Sequence, residues 1–509
     1  GAKVTTGLSL HGAVFPMVSS IIGSGVLFLP SSVELGGIIF SGILITSIAA
    51  ICFFSAFLII LCGENIINKN NNNPNKLLHS ETNIEANKTN NEREHIVLLT
   101  ESEYSNIRKE SEQDEEADKE ITYSDVCKES AVYLAYLADI SIILQGIGCC
   151  FVYYKIIKAW IFELLSLVPF VEEGVIQQFI SQSIIIKAIF SVIVMGLPFF
   201  FACKKDLKDL SILSRIGVGC ILMISVLIMI FGAVAYHCRD LRILKSIEEL
   251  QGQDLEYHIA PTGVLALIKS AYIYVFAFGC HQNIMRIFTS LKKPTSLKDG
   301  SIVVASGIAI ALLLFVFVSI GGYLATGNYQ TESILDMLSN KNKQFYHTIK
   351  NSYPDFVDYV IYFIRFCQAC MAVVLMGAYP LQLQPVKTSL LNFFEIITKK
   401  TLSSTKKRSG EVALTFGFSA IFIALSLING LEHTFVISLI GATASCFVMF
   451  LLPALTYIRS PMKKNSKIKM GAYLLAISSL SISIYGIWAL FSPYAPQIPE
   501  LPKKTNISG

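Results

Sequence analysis

Charge is what this chain has least of. Asp, Glu, Lys and Arg make up 15% of its 509 residues, against 53% apolar residues, whereas a soluble domain carries about 25% charged residues. So little charge cannot cover the three soluble domains that length alone would allow. The sequence also lacks a nucleophile motif, a phosphate-binding loop, metal-ligand spacing and a redox pair, which argues against an enzyme and against any cofactor or metal. No filter-like repeat or ring of charges is present, which disfavours an ion channel. Cysteine is not scarce, at 12 residues, but Cys52, Cys62, Cys149, Cys150, Cys220, Cys280, Cys367, Cys370 and Cys446 sit in or beside apolar runs. There they read as small packing residues, not as a disulfide framework.

What the chain has in their place is a series of long apolar runs. They lie near 9–30, 35–62, 125–165, 183–203, 212–236, 262–288, 300–325, 355–383, 411–430, 433–458 and 468–492. Runs of roughly 20 uncharged residues cross a bilayer as helices, because a helix satisfies its own backbone in lipid. The expectation is an all-α membrane protein of about eleven transmembrane helices. The first run spans and is followed by many others, unlike a cleaved signal peptide. The 125–165 run exceeds one bilayer thickness, which predicts strong tilt or an extension into the cytosol.

Lys and Arg alternate between the two sides. With the N-terminus in the cytosol, the cytosolic loops hold Lys204, Lys205 and Lys208, then Arg286, Lys292, Lys293 and Lys298. They continue with Lys387, Lys399, Lys400, Lys406, Lys407 and Arg408, and end with Arg459, Lys463, Lys464, Lys467 and Lys469. The opposite loops hold fewer basic residues, diluted by Glu248, Glu249 and Asp254, so the tail 493–509 lies outside or in a lumen. Two helices fall in 1–63 and nine in 123–492. Between them, 64–122 is hydrophilic, with an Asn70–Asn73 run and an acidic cluster at Asp114–Glu116, a composition that predicts a disordered cytosolic insertion.

Two spans are interrupted. The first reads Ser19-Ser20-Ile21-Ile22-Gly23-Ser24-Gly25 before Pro30, and Gly-Ser-Gly weakens a helix where water cannot rescue the backbone. Small residues also serve close helix packing. The sixth reads Phe276-Ala277-Phe278-Gly279-Cys280-His281-Gln282-Asn283, where a glycine and polar side chains interrupt an apolar stretch. Interruptions in spans one and six occupy matching positions in two five-helix halves, the pattern of an inverted-repeat transporter.

With these stretches, and with Gly321–Gly327 and Tyr379-Pro380-Leu-Gln-Leu-Gln-Pro385, the chain resembles the amino acid/auxin permease family. The likeness runs from span one to span eleven outside the insertion. It implies a 5+5 inverted repeat (a leucine-transporter-like fold) plus one extra helix, and amino acid transport coupled to protons or sodium. Substrate is then expected at Ser20, Gly23, Ser24 and Gly25 of span one and at Phe276, Ala277, Phe278 and Gly279 of span six. Sodium-coupled relatives carry Asn where this chain has Ser19, so H+ is favoured over Na+. The Asn-rich insertion resembles those common in malaria parasites, which favours a vacuolar or lysosome-like membrane over the plasma membrane.

Further candidates come from the cost of burying polar groups in lipid. Asp139, placed near the middle of span three, suits a proton carrier or a structural partner for a base such as Arg365 in span eight. His281 suits a titrating group or a ring bonded to the broken helix. Phe276, Phe278 and Tyr323 suit the wall of an apolar pocket, and Pro380 and Pro385 the bent end of span eight. The function expected is a secondary amino acid transporter working by alternating access on a small-molecule substrate, with lipid and no nucleic acid as its surroundings. The alternatives are a transporter-like amino acid sensor, or a carrier of other small cations, peptides or drug-like amines.

Overall fold

The computed structural model describes residues 7–71, 121–165, 178–180, 183–203, 207–240, 257–261, 263–292, 295–327, 333–341, 343–398, 402–428 and 433–491. Their regular elements are all helical. Among the described residues ten helices are long and apolar enough to cross a membrane, and an eleventh span is a pair of helices bent by 50°.

That bent pair is span one: α1 (Leu10–Ile21), a short 3₁₀ run (Ser24–Phe28) and α2 (Leu29–Gly36). Ser9 caps α1 by accepting from the Gly12 N–H at 3.1 Å, as the orphan donors of a helix start require. Gly37, at φ 70°, turns the chain into α3 (Ile38–Asn71), span two. α3 continues past the expected end of that span, so the residues that open the 64–122 stretch are helical; 72–120 lie outside the described residues. The tail 493–509 lies outside them as well.

The long 125–165 run is divided. Thr122 and Asp125 form a capping box that starts α4 (Tyr123–Ser130), and Ala131, in extended conformation, ends it. α5 (Val132–Leu164) is span three. Spans four and five are α6 (Ile184–Ala202) and α7 (Leu207–Asp240). Span six consists of α8 (Val264–Ala277) and α9 (His281–Thr289), and span seven is α10 (Leu297–Thr326). Two short helices follow, α11 (Ile334–Ser339) and α12 (Gln344–Ser352), before span eight, α13 (Val357–Thr398). Span nine is α14 (Ser404–Ser426). Span ten runs from α15 (His433–Ile440) through a π-helical stretch to α16 (Leu452–Arg459), and α17 (Ser466–Phe491) is the last.

Two helix pairs organise the bundle: α5 packs along α13, and α7 along α10. The faces of α6, α14 and α17 turned away from these contacts expose Ile184, Ile193, Phe200, Phe416, Ile421 and Leu474. Water would not tolerate such a girdle, and lipid does.

Three expectations are corrected here. Pro380 and Pro385 do not end span eight, because α13 runs through both for 42 residues. Lys387 is therefore no loop residue. It is 1% exposed within α13 and donates to the Ala202 carbonyl at 2.8 Å and to Thr415 Oγ1 at 3.3 Å. A cation on the last carbonyl of α6 is a favourable helix end. Asp139, finally, sits two turns into α5, since the Ala131 break moves the start of that helix forward.

Candidate functional site

Span one breaks after Ile22, whose N–H still reaches the Val18 carbonyl at 2.8 Å but whose ψ of 103° leaves the helix. Gly23 follows in extended conformation, and the 3₁₀ run restarts at Ser24. Span six stops at Ala277 and restarts at His281, with the Gly279 N–H turned back onto the Phe276 carbonyl at 3.2 Å. The two spans run antiparallel: α2 packs on α8, and α1 on α9, so the breaks face each other. They meet at Gly25, where a Cβ would lie 2.8 Å from Ala277 Cα. Only glycine permits that approach.

The breaks bring four helix ends together. The carbonyl ends of α1 and α8 and the amide ends of the 3₁₀ run and α9 all converge there. Amide ends favour an anion and carbonyl ends a cation, so a small zwitterion finds both poles.

A ring of polar side chains closes around them. The Tyr153 hydroxyl of α5 meets the Ser24 backbone and the Gln382 amide of α13. Gln282 Nε2 donates to Gln382 Oε1 at 2.6 Å. Asn283 Nδ2 donates to Ser20 Oγ at 2.8 Å and to the Leu381 carbonyl at 3.2 Å. The Gln145 amide lies against Gly279, and a Cβ at Gly23 would overlap the Tyr153 hydroxyl. The ring contains no carboxylate, Lys or Arg. Ser24 Oγ, Gln145 Oε1, Gln282 Oε1, Asn283 Oδ1 and His281 Nδ1 are buried and make no hydrogen bond among the described residues. Leaving buried polar atoms unpaired costs about 1–3 kcal/mol each, and these five belong to residues at the breaks or packed on them.

The model of the transmembrane amino acid transporter protein family matches residues 6–75 and 96–492. The chain belongs to that family. Its members are transporters and not enzymes, in keeping with the missing catalytic motifs. The amino acid transporter AVT6B of Arabidopsis thaliana is 22% identical over 95% of this chain and 91% of its own length. Vacuolar amino acid transporter 5 of Schizosaccharomyces pombe is 22% identical over 40% of this chain, a match that spans 43% of that relative. The sodium-coupled neutral amino acid transporter 4 of Mus musculus is 26% identical over 44% of this chain and 37% of its own. Among solved structures, MhsT in complex with L-phenylalanine aligns with a TM-score of 0.50 over 94% of this chain and 98% of that one, at 12% identity. The fold is thus the leucine-transporter-like one, two five-span halves whose first helices are broken, with an added eleventh span.

The expected residues of this family member fall into two groups. Ser20, Gly23, Ser24, Gly25, Phe276, Ala277 and Gly279 lie at the facing breaks, with His281 at the start of α9, where Nε2 is 2.8 Å from Ser55 Oγ. Phe278 adjoins them, but its ring packs edge-on against Phe315 of α10, with centroids 5.0 Å apart. Ser19 is buried one residue before Ser20. The others lie elsewhere. The Tyr323 hydroxyl accepts from the His258 N–H at 2.8 Å, near the far end of α10. Asp139 accepts from Ser124 Oγ of α4. Arg365 donates to the Glu163 carbonyl at 3.4 Å. Glu163 is 24 residues beyond Asp139 on the same helix, a distance of about 36 Å, so the expected Asp139–Arg365 pairing does not form.

Sequence reasoning missed Tyr153, Gln145 and Gln382. It weighed ionisable residues in the spans and the polar groups at the two breaks, and passed over amides and hydroxyls on the spans packed around them, although burying these in lipid also demands a partner. Gln145, alone among apolar neighbours, carried that signal.

Proposed function

We propose that the protein carries amino acids across its membrane by alternating access, holding the substrate between the broken first and sixth spans. The observation that carries this reading is the meeting of four helix ends inside a buried ring of unpaired polar atoms. The substrate carboxylate rests on the amides of Gly23, Ser24 and Gly25 beside Ser20. The ammonium group rests on the carbonyls of the Phe276–Gly279 stretch. Phe276, whose ring lies beside Gly25, borders the substrate side chain. Members of the matched family and the named relatives support an amino acid as the substrate class.

Protons drive the cycle in this proposal, and the membrane is vacuolar with the N-terminus in the cytosol. Ser19 offers a cation a weaker ligand than an amide would, and the name of the S. pombe relative supports the location. The name of the mouse relative supports sodium instead, so both ions belong in the test. Uptake of a mixed set of labelled amino acids into proteoliposomes is measured under a proton gradient, a sodium gradient, or neither. Accumulation under the proton gradient alone is expected. Accumulation under sodium alone overturns the coupling, and amino acid binding without flux under any gradient replaces the carrier with a sensor.

A further inference from the structure

Pro385 lies inside α13 and has no N–H, so the Leu381 carbonyl one turn earlier has no donor within its own helix. A side chain from another span meets it. Asn283 Nδ2 donates to Leu381 O at 3.2 Å and also to Ser20 Oγ at 2.8 Å. A single amide thereby joins α1, α9 and α13. Beside it, Gln282 and Gln382 link α9 to α13 a second time. Asn283 is 3% exposed and Ser20 2%. These bonds lie on the halves of spans one and six that lead from the break to the N-terminal side of the bundle. At the far end of the same halves, Leu8 pairs with the backbones of Ser290 and Lys292 at 2.8 and 3.0 Å.

We propose that Asn283 is a positioning residue of the transport cycle, an amide bolt that holds α1 and α9 against α13 and closes the path from the site to the N-terminal side. For that path to open, the bolt leaves the Leu381 carbonyl. The proline is part of the device. An ordinary residue at 385 would give that carbonyl an intrahelical donor, and the amide would then share it. Asn283 Oδ1 has no partner among the described residues, so the side chain is held through its N–H donors alone. Asp has the same shape and supplies no N–H, at most a single O–H in place of the two N–H donors, which makes Asn283→Asp the direct probe.

The proposal rests on the alternating-access reading above, and the test separates the two. Cys280 is wholly buried at the break and reports opening without any need for transport. The full-length protein in vesicles is treated with a membrane-impermeant maleimide from one side at a time, and modification of Cys280 is mapped by mass spectrometry. Asn283→Asp is expected to speed labelling from the N-terminal side roughly tenfold, the scale of one lost buried hydrogen bond. Pro385→Ala is expected to speed it by a smaller factor, and labelling from the opposite side is not expected to rise in either variant. Wild-type rates in both variants, or equal acceleration from both sides, overturn the bolt. A wild-type protein that labels as expected yet moves no substrate overturns the carrier reading and leaves the bolt standing. If Asn283→Asp fails to fold, Ser20→Ala, which removes one acceptor only, stands in with Pro385→Ala and is judged by the same two outcomes.

Discussion

Spans one and six break, while span eight carries two interior prolines and stays helical. Proline is the stronger helix breaker in isolation, at about 3 kcal/mol against about 1 kcal/mol for glycine. The order is reversed here because of what each backbone meets. In α13 the helix keeps its course, and the carbonyl freed by Pro385 is met by Asn283. At Gly25 the backbones of spans one and six approach so closely that any side chain would strike Ala277. In span eight a tertiary contact thus absorbs proline's local penalty, while the glycine breaks of spans one and six stand where two backbones approach.

The most severe break of that comparison is Gly25→Val. The valine meets backbone, which cannot step aside, so transport is expected to fall to background while the protein still reaches its membrane. Uptake together with membrane content checks this, and retained flux would remove the break from the mechanism. Gly279→Val should be milder. Its Cβ would lie 2.7 Å from Gln145 Nε2, the far end of a flexible side chain, and no closer than 3.1 Å to backbone, at the Phe276 carbonyl. A several-fold rise in KM with membrane content unchanged is expected, measured as uptake against substrate concentration.

Asp139→Asn sharpens the contrast between the break and the ends of the bundle. Asp139 accepts from Ser124 and lies six residues, about 9 Å along α5, before Gln145 of the ring, so stability should fall by about 1 kcal/mol, the scale of one buried hydrogen bond weakened. The pH profile of uptake should keep its shape. Asn has no proton to release, so a profile gone flat would instead make Asp139 the proton carrier. The smallest effect is expected from Pro380→Ala, which restores one N–H inside a helix that already accommodates its loss. Transport should persist and thermal stability should shift by less than about 1 kcal/mol, and a large change in either would mean that Pro380 shapes the site.

Much of this molecule was legible in advance, and the exceptions share a cause. The spans were readable because lipid leaves few ways to hide a backbone, and both breaks were readable as glycine in an apolar run. Span eight was misjudged at Pro380 and Pro385, since the helix runs through both, and the donor that meets the carbonyl freed by Pro385, Asn283, is about a hundred residues away in the chain. Asp139 and Arg365 looked like partners as two opposite charges in spans, but one lies near the start of α5 and the other beside its end. Tyr153 is one aromatic among many in sequence and becomes distinctive only beside Gly23 and Ser24.

The sequence by itself determined the class of the protein, the number of its spans and the two places where helices fail. Each of these follows from local chemistry, namely apolar length, scarcity of charge and residues without a stiff backbone. Only the tertiary structure decided which groups meet at those failures and which carbonyl freed by proline finds a donor. Those are matters of distance between segments remote in sequence, and burial in a medium without water makes every such pairing, or its absence, a large part of the energy.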